Sequence, residues 1–317
     1  YYWYSKSLFR SKSENLGFMM NKQENIEAIE VSKTLKGRSL WVDARRRLFL
    51  NKAAVISLFT LIIISVVSVF GPFFLQYNFS DTDWGSIYQP PSFETGHYLG
   101  TDGNGRDLLV RILHGGRLSL SIGLIATFVS VFIGVLYGTI AGFFGGKLDV
   151  FMMRIVEILY AMPYLIFVII LMVVFGRNIY FLFIAIGAVE WLTMARIVRG
   201  QTISLKEKEF IETSKALGQS NTLIIVKHII PNLAGPIIVY ITLMVPSVII
   251  LESFLSFLGL GVQEPLTSWG VLISEGSREM ETAWWLLIFP GSFMVITLAS
   301  LNFIGDGLRD AIDPKEY

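Results

Sequence analysis

EFIETSKALGQSNTLIIVKHIIPN, residues 209–232, decides how this chain is organised. It is the heart of a polar island, 196–231, that separates two long apolar runs. Lys206, Glu207, Lys208, Glu209, Glu212 and Lys215 crowd its first half. The stretch from Lys206 to Leu217 has no Gly or Pro and is rich in helix formers, which predicts a helix. Phe210, Thr213 and Leu217 fall on one face of it. Gly218 supplies the left-handed residue that ends it. Ser220 or Asn221 can cap a second helix over 222–230, and Pro231 is expected to break that helix where the chain re-enters an apolar environment. A connection this long, with helical periodicity and a glycine stop, reads as a surface that meets a partner rather than as a plain turn.

The runs on either side make the chain a membrane protein. It is 53% apolar, only 16% charged, and has a mean hydropathy of +0.58; soluble domains carry about 25% charged residues. Six spans are expected, at roughly 53–75, 118–143, 150–175, 179–199, 233–260 and 284–307, each long enough for a ~30 Å hydrocarbon core. If the N-terminus lies inside and the spans alternate, 21 of the 26 Lys and Arg residues fall on the inner side. The positive-inside rule then places both termini and the island in the cytoplasm. The layout expected is an extension over 1–36, an interfacial amphipathic helix over 37–52, the first span, an outer loop over 76–117, a membrane domain over 118–307 with its connecting loop at 200–231, and a tail over 308–317. In the 37–52 segment, Leu40, Trp41, Leu48 and Phe49 can face lipid while Arg45, Arg46 and Arg47 meet anionic headgroups. The first apolar run is too long and too far from the start to be a cleaved signal. The first methionines, Met19 and Met20, are candidate natural starts, which would make 1–18 an upstream extension.

Little in the chain suits catalysis. There is no cysteine, so no disulfide, thiolate metal site or thiol nucleophile. His97, His114 and His228 are scattered without ligand spacing and read as solitary surface or interface residues, so no metal site is expected. Gly145-Gly146-Lys147 lacks the earlier glycine of a phosphate loop, and Leu148 stands where a hydroxyl must hold magnesium. The chain is therefore not expected to be an enzyme. Four charged residues lie within spans and are candidates for polar or gating roles: Arg154, Glu157, Glu190 and Glu252. Arg154 and Glu157 are one turn apart and can pair. Glu190 has no cation next to it in sequence, which also suits a secondary transporter that binds protons or sodium. Gly134, Gly138 and Gly142, at spacing four, form a helix face for close packing.

The island resembles the EAA loop of ABC-importer permeases, with Glu209, Glu212, Thr213, Ser214, Ala216, Leu217, Gly218, Ile230 and Pro231 at the matching positions. Thr213 and Ser214 stand where the family usually has alanines. GRSLWVDARRR (37–47), HYLGTDGNGRDLLVRILHGGRLSL (97–120), GGKLDVFMMRIVEILYAMP (145–163), ESFLSFLGLGVQEPLTSWG (252–270) and NFIGDGLRDAIDP (302–314) resemble the C-type membrane subunit of bacterial oligopeptide and dipeptide importers. The resemblance implies an all-α, six-helix permease of the type I importer fold, in the bacterial inner membrane, with a coupling helix in the cytoplasm. It also implies the company such a subunit keeps: a second homologous permease, two ATPases that carry ATP and magnesium, and a periplasmic or lipid-anchored binding protein. No cofactor is expected on this chain and no nucleic acid among its partners. GRSLWVDARRR and DTDW (81–84) lean toward oligopeptides; dipeptides, nickel or another small solute are the alternatives within the family. An ion-driven secondary transporter would show an inverted repeat, which is not evident, and would leave the island without a purpose.

The orientation can be read directly. Asn78→Cys and Gln219→Cys, made singly in this cysteine-free chain, are probed with an impermeant maleimide in intact spheroplasts. Position 78 should label and position 219 should not; the opposite pattern would invert the topology.

Overall fold

The computed structural model describes residues 40–176 and 178–312. The expected 1–36 extension and the end of the 308–317 tail lie outside those residues. The chain divides at Arg45–Arg46 into two units, and all the packing below belongs to the second. Every extended element described is a helix: α1 (Leu40–Leu50), α2 (Lys52–Phe70), α3 (Leu108–Phe144), α4 (Gly146–Ala161), α5 (Tyr164–Phe175), α6 (Ile179–Lys206), α7 (Glu209–Ala216), α8 (Asn221–Ile224), α9 (Ile230–Phe257), α10 (Trp269–Arg278) and α11 (Trp285–Ile312). Five helical stretches are long and apolar enough to span a membrane, and there are six if α4 and α5 are one broken span.

The α3 helix is the centre. It runs for 37 residues, about 55 Å at 1.5 Å per residue, and packs on α6 along most of its length as well as on α2, α9 and α10. The contact with α6 is made by backbone. A Cβ at Gly134 would lie 2.6 Å from Met194 Cβ, one at Gly138 would lie 2.4 Å from the Ala195 carbonyl oxygen, and one at Gly142 would lie 2.8 Å from the Arg199 carbonyl oxygen. In lipid, apolar burial between helices brings little, so such close approach and its dispersion contacts are what holds two spans together. Ile122 and Ala126 of α3, Val168 and Met172 of α5, Ile186 of α6 and Leu255 of α9 close the core at one end. Phe143, Met194, Val198, Ile211, Ile224 and Leu233 close it at the other.

Three local features depart from the sequence reading. The third span is not continuous: it stops at Ala161, Met162 turns to an extended conformation, and α5 restarts after Pro163 at 85° to α4. Proline at that point supplies no amide to the ladder and disfavours helix in the residue before it. The island is shorter than expected, because α6 continues through Lys206 and only residues 207–208 separate it from α7. Pro231 breaks nothing. Residues 225–229 adopt a π-turn, in which the Ile230 amide reaches back to the Ile225 carbonyl, and the helix runs on from Asn221 to Phe257. A π-turn widens the helix by one residue, so the break a proline would cause is absorbed just before it.

The glycine contact predicts an asymmetric result. Gly138→Ile should prevent α3 and α6 from closing, giving loss of monodisperse protein in detergent and a collapsed melting transition. Gly291→Ala, where an added Cβ meets nothing within 4 Å, should leave melting unchanged or raise it, by up to ~1 kcal/mol. Wild-type melting in Gly138→Ile would contradict the packing account.

Candidate functional site

The island becomes a short amphipathic helix seated on the end of the α3–α6 pair. Ile211 is its anchor: the side chain is fully buried among Phe143, Val198, Ile224, Ile229 and Leu233. Ser214, one turn on, is also buried and donates to the Phe210 carbonyl at 2.8 Å. The outward face carries Glu209, Glu212, Thr213 and Ala216, all exposed, flanked by the half-exposed Phe210. Leu217 stands out at the helix end, 75% exposed. Thr213 turns its hydroxyl back to the Glu209 carbonyl at 2.8 Å.

The helix ends in a glycine cap. Gly218 has φ +76°. Its amide bonds the Lys215 carbonyl at 2.9 Å, and the Gln219 amide reaches the Ser214 carbonyl at 3.2 Å. This is the paired bonding of a Schellman motif. Ser220 then caps α8, accepting from the Leu223 amide at 3.4 Å. Gln219 Oε1 lies 3.1 Å from His228 Nε2, which ties the turn to the following helix. Ile230 and Pro231 sit on that helix beyond the π-turn, so the matched motif is split between two elements.

Contacts that the sequence reading did not pair fasten the island. Asp149, in the first turn of α4, makes a two-pronged salt bridge with Arg199 of α6, 2.5 Å to Nε and 2.6 Å to Nη2. Both ends of the fork are satisfied, which fixes orientation as well as distance. Lys206 of α6 and Lys215 of α7 both lie near the face of Phe143, with Nζ 5.9 Å and 5.7 Å from the ring centre, within cation–π range. The signal available was a charge at the edge of each of two apolar runs, but no sequence rule pairs residues 50 apart.

The four charged residues expected within spans do not converge. Arg154 and Glu157 pair at 3.1 Å on α4 with both side chains well exposed, a pair of small worth by itself. Glu252 on α9 is fully buried. Its Oε1 accepts from Ser256 at 2.6 Å and from Ser268 at 2.7 Å, and so joins α9 to the start of α10. Glu190 on α6 is half-buried and lines a cavity beside the α4–α5 break.

The opposite end of α3 carries a second network that the sequence reading also passed over. Asp102 holds the Arg106 side chain at 2.7 Å and also bonds Arg111. Arg106 reaches Glu264 at 3.0 Å, and Arg111 reaches Glu275 at 2.9 Å. Burial works against the charge of Arg106, but the hydrogen bond and charge of Asp102 outweigh it, so its pKa is raised. The loop before α3 is thereby locked to α10 and to the loop before α10. From the sequence His97 reads as a solitary surface or interface residue, but it is buried and bonded to Asp107 at 2.9 Å, because Asp107 caps α3 and the loop folds over that cap. His114 stacks on Phe79, with ring centres 3.8 Å apart. Among the described residues no group of three or more His, Cys, Asp or Glu could hold a metal.

Comparison with known proteins places this geometry. The family described as "Binding-protein-dependent transport system inner membrane component" matches residues 134–316. The "N-terminal TM domain of oligopeptide transport permease C" matches residues 39–91. The oligopeptide transport system permease protein OppC of Haemophilus influenzae is 52% identical over 96% of each chain. That of Escherichia coli is 54% identical over 94% of this chain and all of its own. A dipeptide transport system permease protein, DppC of Bacillus subtilis, is 43% identical over 94% of this chain and 92% of its own. Among solved structures, the inward-facing MetNI methionine ABC transporter superposes with a TM-score of 0.53 at 17% identity, covering 64% of this chain and 96% of that one. This last likeness concerns the fold alone.

Proposed function

Since the chain belongs to the family of binding-protein-dependent transport system inner membrane components, we propose that it is the permease subunit of an ATP-binding-cassette importer for oligopeptides. The observation that carries this reading is the island. A helix anchored on one face by Ile211 and turning Glu209, Glu212 and Thr213 outward is built to be gripped by something beyond the membrane.

The partners are a second homologous permease, two ATPases on the cytoplasmic side, and a binding protein that delivers substrate from outside. ATP and magnesium reside on the ATPases, and this chain performs no chemistry of its own. Both termini and the island lie in the cytoplasm of a bacterium, and the chain sits in the inner membrane. The buried Ile211 connects α7 to the α3–α6 pair, and the two-pronged Asp149–Arg199 bridge ties α4 to α6. Closure of the ATPases would then displace helices rather than a loop. Such an element converts binding at one site into a change of access at another. Oligopeptides are preferred to dipeptides because the relatives named for oligopeptides reach 52% and 54% identity and the dipeptide relative 43%.

Three changes in the assembled transporter test the coupling role. Gly218→Val forces a β-branched residue to φ +76°, a cost of about 1–2 kcal/mol, and should loosen the end of α7. Glu212→Lys reverses a charge on the outward face. Both should abolish peptide uptake in cells while the chain still inserts, with ATPase co-purification reduced or hydrolysis running without transport. Thr213→Ala together with Ser214→Ala restores the commoner family residues and should transport normally. Wild-type uptake by both Gly218→Val and Glu212→Lys, with ATPases bound as before, would reduce the island to a surface loop.

A further inference from the structure

The break between α4 and α5 opens a cavity of about 670 Å³ against α6. Tyr160, Met162, Tyr164 and Phe167 give it an aromatic and apolar wall. Among the described residues Glu190 is its one acid, and Thr193 stands a turn further along α6. Among the described residues the Glu190 carboxylate has no hydrogen bond and no ion pair. It lies eleven residues into α6, about 16 Å along the axis, half the ~30 Å core of a bilayer. A carboxylate at that depth is costly to keep charged unless a partner answers it. An uncompensated acid facing a cavity, rather than a protein partner, marks a place where a ligand supplies the missing charge.

We infer that this cavity is a way-station for the transported peptide, and that Glu190 receives its α-ammonium group. This rests on the peptide-importer reading above. A carrier of many sequences can use only the groups all peptides share: the backbone, the terminal carboxylate and the terminal ammonium. Side chains vary, and a wall of Tyr, Met and Phe tolerates that variation, because aromatic faces and a flexible thioether adapt to many shapes. A cavity of this size is within the range of small-ligand sites, about 300–1,000 Å³. The single acid then fixes which end of the peptide enters, through a charge-assisted hydrogen bond. Because only one such bond is made, the peptide is held weakly enough to leave.

The test uses the complete transporter in proteoliposomes, with the unaltered binding protein saturated either with tri-alanine or with N-acetyl-tri-alanine. Glu190→Gln keeps the size of the side chain and removes its charge. It should lower tri-alanine uptake by roughly tenfold, the loss of one charge-assisted bond, while N-acetyl-tri-alanine uptake stays at its wild-type rate. Glu190→Asp should recover much of the tri-alanine rate. An equal fall for both peptides would overturn the inference and assign Glu190 to folding or to contact with the second permease. No fall for either would also overturn it and leave the cavity to lipid. Failure of the wild-type complex to carry either peptide would instead refute the peptide-importer reading itself, and this inference with it.

Discussion

The close approach of α3 and α6 is the contact on which the remaining architecture depends. Three glycines one turn apart let two backbones meet at distances no side chain would permit, with the Ala195 and Arg199 carbonyl oxygens lying directly over the glycine face. In a hydrocarbon solvent, packing and backbone contact have to do what apolar burial does in water. Against that pair, α9 and α10 pack on α3, and α5 lies beside α6. The break at Met162-Pro163 then becomes useful, because it keeps α5 beside α6 while leaving a cavity at the bend.

Charge fastens the inner end of the α3–α6 pair and the outer end of α3. On the island side, the Asp149–Arg199 fork ties α4 to α6, while Lys206 and Lys215 lie near the ring of Phe143 and Ile211 fills the core beneath. On the other side, Asp102 gathers Arg106 and Arg111, which in turn hold Glu264 and Glu275. In both networks each carboxylate is answered by an arginine. They differ in what they leave exposed. The island side offers the outward face of α7, whereas at the other end the network is spent on holding a loop against the helices. Glu190 stands apart from both, as an acid at mid-membrane depth without an answering charge among the described residues.

Much of this was legible in the sequence, and the exceptions have physical reasons. A spacing of four glycines-apart positions reads as a packing face because it requires only the 3.6-residue period. Gly218 reads as a helix stop because a positive φ is cheap for glycine alone, and the structure gives it φ +76°. Pro231 misled, because the helix can switch to i→i+5 bonding just before a proline and continue. A proline inside a span marks a kink, so the place of the bend at Met162-Pro163 was legible, but its 85° was not, because neither proline nor hydropathy carries an angle. The outer network was invisible because Arg106 and Glu264, or Arg111 and Glu275, are 158 and 164 residues apart and meet only when the helices have packed. For the candidate site, the outward residues of α7 lay within a recognisable motif, while Asp149 and Arg199 that steady it did not.

Because Ile211 is buried in the core of the α3–α6 pair, α7 should move with that pair as one body. Spin labels at Thr213→Cys on α7 and Tyr180→Cys at the far end of α6, both exposed positions, measure it in the assembled transporter. The distance distribution between them should stay narrow and unshifted when ATP is added. A shift of a helical turn, about 5 Å, or a distribution that broadens on ATP binding would instead mean that the island flexes independently of the pair.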